Sequence, residues 1–97
     1  MSVIAYHFWS TTCAPCKVIK PAIEDLKEEF SNVTWVSVNT HDDPEDYSKL
    51  FGITIVPTIV VLAGDHSGNT LSTDKHSGTT MMGYYRILRN AIKLARL

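Results

Sequence analysis

An apolar run from Val3 to Trp9 stops at Ser10-Thr11-Thr12 and passes at once into Cys13-Ala14-Pro15-Cys16 and a helical repeat. No other feature constrains the chain as much. The run is short, rich in β-branched and aromatic residues, and interrupted only by His7, which suits a strand buried on both faces of an α/β sheet. Ser10, Thr11 and Thr12 offer turn and cap chemistry, and Pro15 falls in a first helical turn, where a missing N–H costs little. The predicted helix turns Ile19, Ala22, Ile23, Leu26 and Phe30 inward and Lys17, Lys20, Glu24, Lys27 and Glu28 outward, with a kink expected at Pro21.

Downstream, Val33 to Val38 has β-rich composition and reads as a second strand. Asp43-Pro44 reads as an N-cap followed by proline at the first helical position. It opens a short helix with Tyr47, Leu50 and Phe51 as its apolar face and Gly52 as its stop. Thr58 to Leu62 is a third, continuously apolar strand. Thr70 to His76 is polar and therefore placed at a sheet edge. Thr79 or Thr80 caps a last helix, Met81 to Ala95, with Met81, Tyr84, Leu88, Ala91, Ile92 and Ala95 as its core stripe. The order βαβαββα predicts an α/β fold, a minimal three-layer sandwich with a mixed four-stranded sheet. At 97 residues, without repeat or linker, residues 1–97 form a single domain.

Charge and cysteine content narrow the function classes. Nine basic against ten acidic residues argue against a nucleic-acid binder. No apolar run reaches membrane-spanning length, and the N-terminus lacks the pattern of an export signal, so no membrane association and a cytoplasmic location are expected. Two cysteines are too few for a disulfide scaffold. Placed at a strand exit and a helix entrance, they suit redox chemistry. The first helical turn brings both sulfurs within bonding distance, while its unpaired N–H groups and dipole favour a thiolate on Cys13. Cys13 is therefore the nucleophile, and Cys16, expected to be the more buried, resolves the mixed disulfide. A structural cysteine pair and a zinc site are the competing readings. None of the four histidines stands at zinc-finger spacing, and no metal is expected.

Several further stretches resemble the thioredoxin family over nearly the whole chain. Phe8-Trp9-Ser10 and Cys13-Ala14-Pro15-Cys16-Lys17 resemble its Phe-Trp-Ala and Cys-Gly-Pro-Cys-Lys, and Pro21 sits where the family has its helix-kinking proline. Phe51-Gly52-Ile53, Val56-Pro57-Thr58 and Gly78 resemble its Tyr-Gly-Ile, its Ile-Pro-Thr and the glycine before its last helix. The resemblance implies a thioredoxin-like fold and a cis bond before Pro57, facing the cysteines. It also implies a substrate groove of Trp9, Thr12, Ala14, Pro15, Val56, Pro57, Thr58 and Gly78.

The chain departs from the family in having no room for the opening strand and helix of a full thioredoxin, which leaves the strand at 33–38 as an edge. His7 stands where the family has a buried Asp and Ser37 where it has a Lys, so proton transfer to the second cysteine is rearranged or lost. Thr12 replaces a Trp, and Ala14 a Gly. His7 reads either as a satisfied core histidine or as the proton-transfer group for Cys16.

These residues together indicate a thiol–disulfide oxidoreductase that reduces protein disulfides through Cys13 and Cys16 and binds no cofactor. By resemblance, its electrons come from an NADPH-dependent thioredoxin reductase or a related reductase, and it works as a monomer. The alternatives are a glutaredoxin-like, glutathione-dependent reductase and a redox-inactive binding module. Ser77-Gly78-Thr79-Thr80 lacks the Gly-Gly and Asp of the former. On the last helix, Arg86, Arg89, Lys93 and Arg96 read as a solvated face. Met81-Met82 and Tyr84-Tyr85 read as core and rim packing.

Overall fold

A computed structural model describes residues 2–97. Its elements run β1 (Ser2–Trp9), α1 (Ala14–Glu29), β2 (Thr34–Asn39), α2 (Tyr47–Leu50), β3 (Thr58–Gly64), β4 (Thr70–Ser77) and α3 (Met81–Ala95). The sheet order is β2-β1-β3-β4, with β1 parallel to β2 and antiparallel to β3, and β4 antiparallel to β3. Both apolar runs thus take the interior positions. The polar β4 and the strand after α1 take the two edges, as their compositions require.

Alternation along the central strands divides the core in two. Val3 and Ala5 of β1, with Ile59, Val61 and Ala63 of β3, meet Ile19, Ile23 and Leu26 of α1 and Tyr84, Ile87, Leu88 and Ala91 of α3. Phe8, Val38 and Val60 point the other way and are covered by Tyr6, Val36, Tyr47, Phe51 and Ile53. Two helices on one face and α2 on the other make the three layers. Ile59 is fully buried between them. Ile59→Val is therefore expected to lower the unfolding free energy by about 0.5–1.5 kcal/mol, read from urea unfolding.

Three local expectations are corrected. At the start of α1 the cap is not Ser10, Thr11 or Thr12 but Cys13, whose sulfur accepts the N–H of Cys16. The second helix begins at Tyr47 rather than after Asp43, because Asp46 adopts the left-handed conformation (φ 55°), which no helix interior accommodates. Asp43 still serves the helix, reaching forward to accept from the N–H groups of Tyr47 (3.1 Å) and Ser48 (2.7 Å). These backbone hydrogen bonds hold its carboxyl below the usual range. Within that helix Leu50 is 71% exposed, so only Tyr47 and Phe51 face the core, each ring 4.9 Å from that of Tyr6. Thr80 occupies the N-cap of α3 as expected, but its hydroxyl makes no capping hydrogen bond. Its carbonyl instead accepts from His76 Nε2 at 3.0 Å. Gly83 makes room for that imidazole, since a Cβ there would overlap the His76 ring.

Candidate active site

The strand-to-helix junction delivers the two cysteines to one point. Cys13 and Cys16 form a disulfide with Cα atoms 5.2 Å apart. Cys13 Sγ receives the Cys16 N–H at 3.1 Å and lies 3.6 Å from the carbonyl oxygen of Val56. The disulfide has no S–H, so the Val56 contact becomes a hydrogen bond only when Cys13 is reduced and protonated. The Cys16 N–H and the positive end of a 16-residue helix both favour negative charge on Cys13. Greater burial of Cys16 was expected, but both cysteines are 8% exposed. The Val56 backbone covers Cys13 from across the groove. The Cys16 N–H and the helix start distinguish the two sulfurs electrostatically.

Opposite the cysteines stands a wall made by two segments distant in sequence. The Val56–Pro57 bond is cis, Pro57 is fully buried, and Val56 is half-buried. Gly78 donates its N–H to the Pro57 carbonyl at 2.9 Å and takes φ +100°, a conformation that favours glycine. Thr58 donates its hydroxyl proton to the Ile55 carbonyl (2.6 Å), so Ser77 is the donor in its 2.7 Å contact with Thr58. Tyr84, read from the sequence as packing alone, reaches the same wall. Its hydroxyl lies 2.5 Å from the Gly78 carbonyl and 3.3 Å from that of Pro57. The overlooked signal was its chemistry, because a tyrosine buried in a core needs a partner for its O–H. Thr12, Ala14 and Pro15 are exposed around the cysteine pair.

Behind Cys16, away from this wall, a cleft of about 420 Å³ is lined by His7, Trp9, Cys16, Lys20, Lys27 and Ser37, among others. Trp9 is part of this lining, and its indole N–H donates to Ser37 Oγ at 2.8 Å. The parallel ladder sets His7 beside Ser37, yet His7 Nδ1 is buried without a hydrogen-bond partner among the described residues. Burial first, and then the charge of Lys27, push the His7 pKa down to about 4. The ring is therefore neutral at physiological pH. Among the described residues no group of three or more His, Cys, Asp or Glu side chains is gathered for a metal. Arg86, Arg89 and Lys93 on α3 and Arg96 just beyond it are all exposed, with Arg89 lying 5.3 Å from the centre of the Tyr85 ring.

The chain is similar to known thioredoxins. A thioredoxin of Mycoplasma genitalium is 43% identical over 58 residues, covering 60% of this chain and 56% of the relative. The chloroplastic M-type thioredoxin of Zea mays is 28% identical over 85 residues, covering 84% of this chain and 50% of the relative. The chain thus spans about half the length of these relatives. Among solved structures, Fasciola hepatica thioredoxin superposes with a TM-score of 0.76 at 23% identity, over 93% of this chain and 81% of that one. The oxidized mitochondrial thioredoxin 3 of Saccharomyces cerevisiae gives 0.77 at 22%, over 92% and 78%. The fold is shared with both. The thioredoxin family model matches residues 2–81, from the first strand through both cysteines and the cis-proline wall to the start of the last helix, and the chain belongs to the thioredoxin family.

Proposed function

We propose that this chain is a thiol–disulfide oxidoreductase that reduces protein disulfides. The observation that carries the reading is the Cys13 sulfur at the N-cap of α1, accepting the Cys16 N–H and facing the Val56–Pro57 wall. In the reduced protein the Cys13 thiolate attacks one sulfur of a substrate disulfide. The first substrate thiolate leaves and takes up a proton. Cys16, deprotonated in turn, attacks Cys13 Sγ, and the second substrate thiolate departs. Two electrons pass to the substrate and the Cys13–Cys16 disulfide remains.

The cleft behind Cys16 offers the proton a way out. His7, neutral above about pH 4, lines that cleft and is too weak a base to hold the proton itself, but its ring can hydrogen-bond a water that carries the proton away. Beside the cysteines, the Val56 backbone can pair with an extended substrate segment. An NADPH-dependent thioredoxin reductase, or a related reductase, would restore the dithiol, and the protein would act as a monomer in a reducing compartment such as the cytoplasm. No helix among the described residues is long and apolar enough to cross a membrane.

The test is the reduction potential of the Cys13–Cys16 pair, equilibrated against glutathione or dithiothreitol and read by mass after alkylation. A value near about −270 mV is expected for such a reductant. One above about −230 mV would move the protein to a glutathione-coupled or oxidising role, and failure to form the disulfide at any poise would remove the redox reading.

A further inference from the structure

We propose that Tyr84 is a positioning residue for protein substrates, its hydroxyl holding the Val56–Pro57–Gly78 wall at its working distance from Cys13. The inference rests on the oxidoreductase reading above. Three observations carry it. Tyr84 is fully buried on α3, yet its hydroxyl extends to two backbone carbonyls, those of Gly78 and Pro57, from segments 21 residues apart in sequence. With one proton to give, it donates to Gly78 at 2.5 Å, while the Pro57 carbonyl, 3.3 Å away, is already satisfied by the Gly78 N–H. Both segments are thereby referred to a helix rather than to each other alone. The carbonyl of Val56, adjacent to Pro57, is the group 3.6 Å from Cys13 Sγ.

The aromatic ring is itself held in place. His76 packs edge-on against it, with centroids 4.7 Å apart, and is fixed by its hydrogen bond to the Thr80 carbonyl and by the space left at Gly83. Burial raises the Tyr84 pKa to about 12, so the hydroxyl remains a donor at any physiological pH. Phenylalanine would fill the same volume and keep the His76 contact, but it would leave the Gly78 carbonyl without its side-chain donor. The wall would then lose its tie to α3 while the core stayed packed.

Only a substrate that lies against the wall should notice. A protein disulfide needs both Cys13 and the backbone beside Pro57, whereas a small soluble disulfide needs only Cys13. In Tyr84→Phe the KM for a protein disulfide is expected to rise by about five- to thirtyfold, the ratio set by losing one buried hydrogen bond. The rate with oxidised glutathione or an aromatic disulfide should change less than about twofold. Hydrogen exchange supplies a readout independent of turnover: the Gly78 amide should exchange faster in the variant, while that of Ile59 in the core should not. An unchanged KM and Gly78 exchange rate would reduce Tyr84 to a packing residue. Equal losses with both substrates and at both amides would make its role general stability, which equally overturns the proposal. Wild-type protein that reduces neither substrate would instead refute the oxidoreductase reading, so the two failures are distinguishable.

Discussion

Cys13→Ser is expected to abolish reduction of protein disulfides, lowering turnover by at least about a thousandfold while leaving the fold intact. The serine hydroxyl can still accept the Cys16 N–H at the start of α1, and serine is a favoured N-cap residue, so the helix keeps its first hydrogen bond. What disappears is the sulfur that combines the Cys16 N–H, the helix dipole and the groove. An alkoxide cannot replace it at neutral pH, because a hydroxyl at an ordinary helix start stays protonated. Cys16→Ser should behave differently: Cys13 still attacks, the resolving step is missing, and the mixed disulfide with substrate accumulates. Thiol release with a model protein disulfide measures the first effect, and intact mass under non-reducing conditions the second. Substantial turnover in Cys13→Ser would overturn the assignment of the nucleophile. A Cys13→Ser protein unable to turn over but also unable to hold a partner would count against the binding-module alternative.

The second large effect concerns acid. Protonation of His7 is held off until about pH 4 in the folded protein, against an ordinary value of 6.5, because the ring is buried and Lys27 lies nearby. Between those values the unfolded chain binds the proton and the folded chain does not, so stability falls as pH falls. The contribution is complete above pH 6.5 and is lost on approaching pH 4, an order-of-magnitude cost of about 3 kcal/mol. Urea unfolding at pH 7.5 and pH 4.5 should therefore show wild type losing most of that amount. His7→Leu, which cannot take up a proton, should show a shallower decline, and the difference between the two slopes isolates His7 from the carboxylates common to both. Parallel slopes would mean that water reaches the ring and the imidazole titrates normally. The orphaned Nδ1 strengthens the expectation, since among the described residues no hydrogen-bond partner at that atom offsets the desolvation of a charged ring.

Much of this molecule is legible in local pattern. The interior strands, the edge placement of the polar β4, the boundaries of α3 and the Cys-x-x-C at a strand-to-helix junction all follow from periodicity and turn chemistry, which act over a few residues. The place of Cys13 at a helix start follows too, where negative charge is favoured wherever such a start is built.

Helix capping is where local reasoning slipped. Three hydroxyl residues precede Cys13, yet the sulfur itself takes the cap, and Asp43 serves α2 from outside it because Asp46 turns left-handed. Several groups at one position satisfy the same rule, and the surrounding chain chooses among them.

What only the tertiary structure decided is everything that joins distant segments at the site. Residues 56–58, 77–78 and Tyr84 make one hydrogen-bonded wall. Trp9 donates to Ser37 on the neighbouring strand, and His7 is desolvated beside the cleft that Cys16 also lines. Periodicity says which way a side chain points along its own element but carries no information about which carbonyl will lie 20 or more residues away at its tip. That partner is chosen when the sheet and helices pack, and with it the equal burial of the two cysteines and the low basicity of His7.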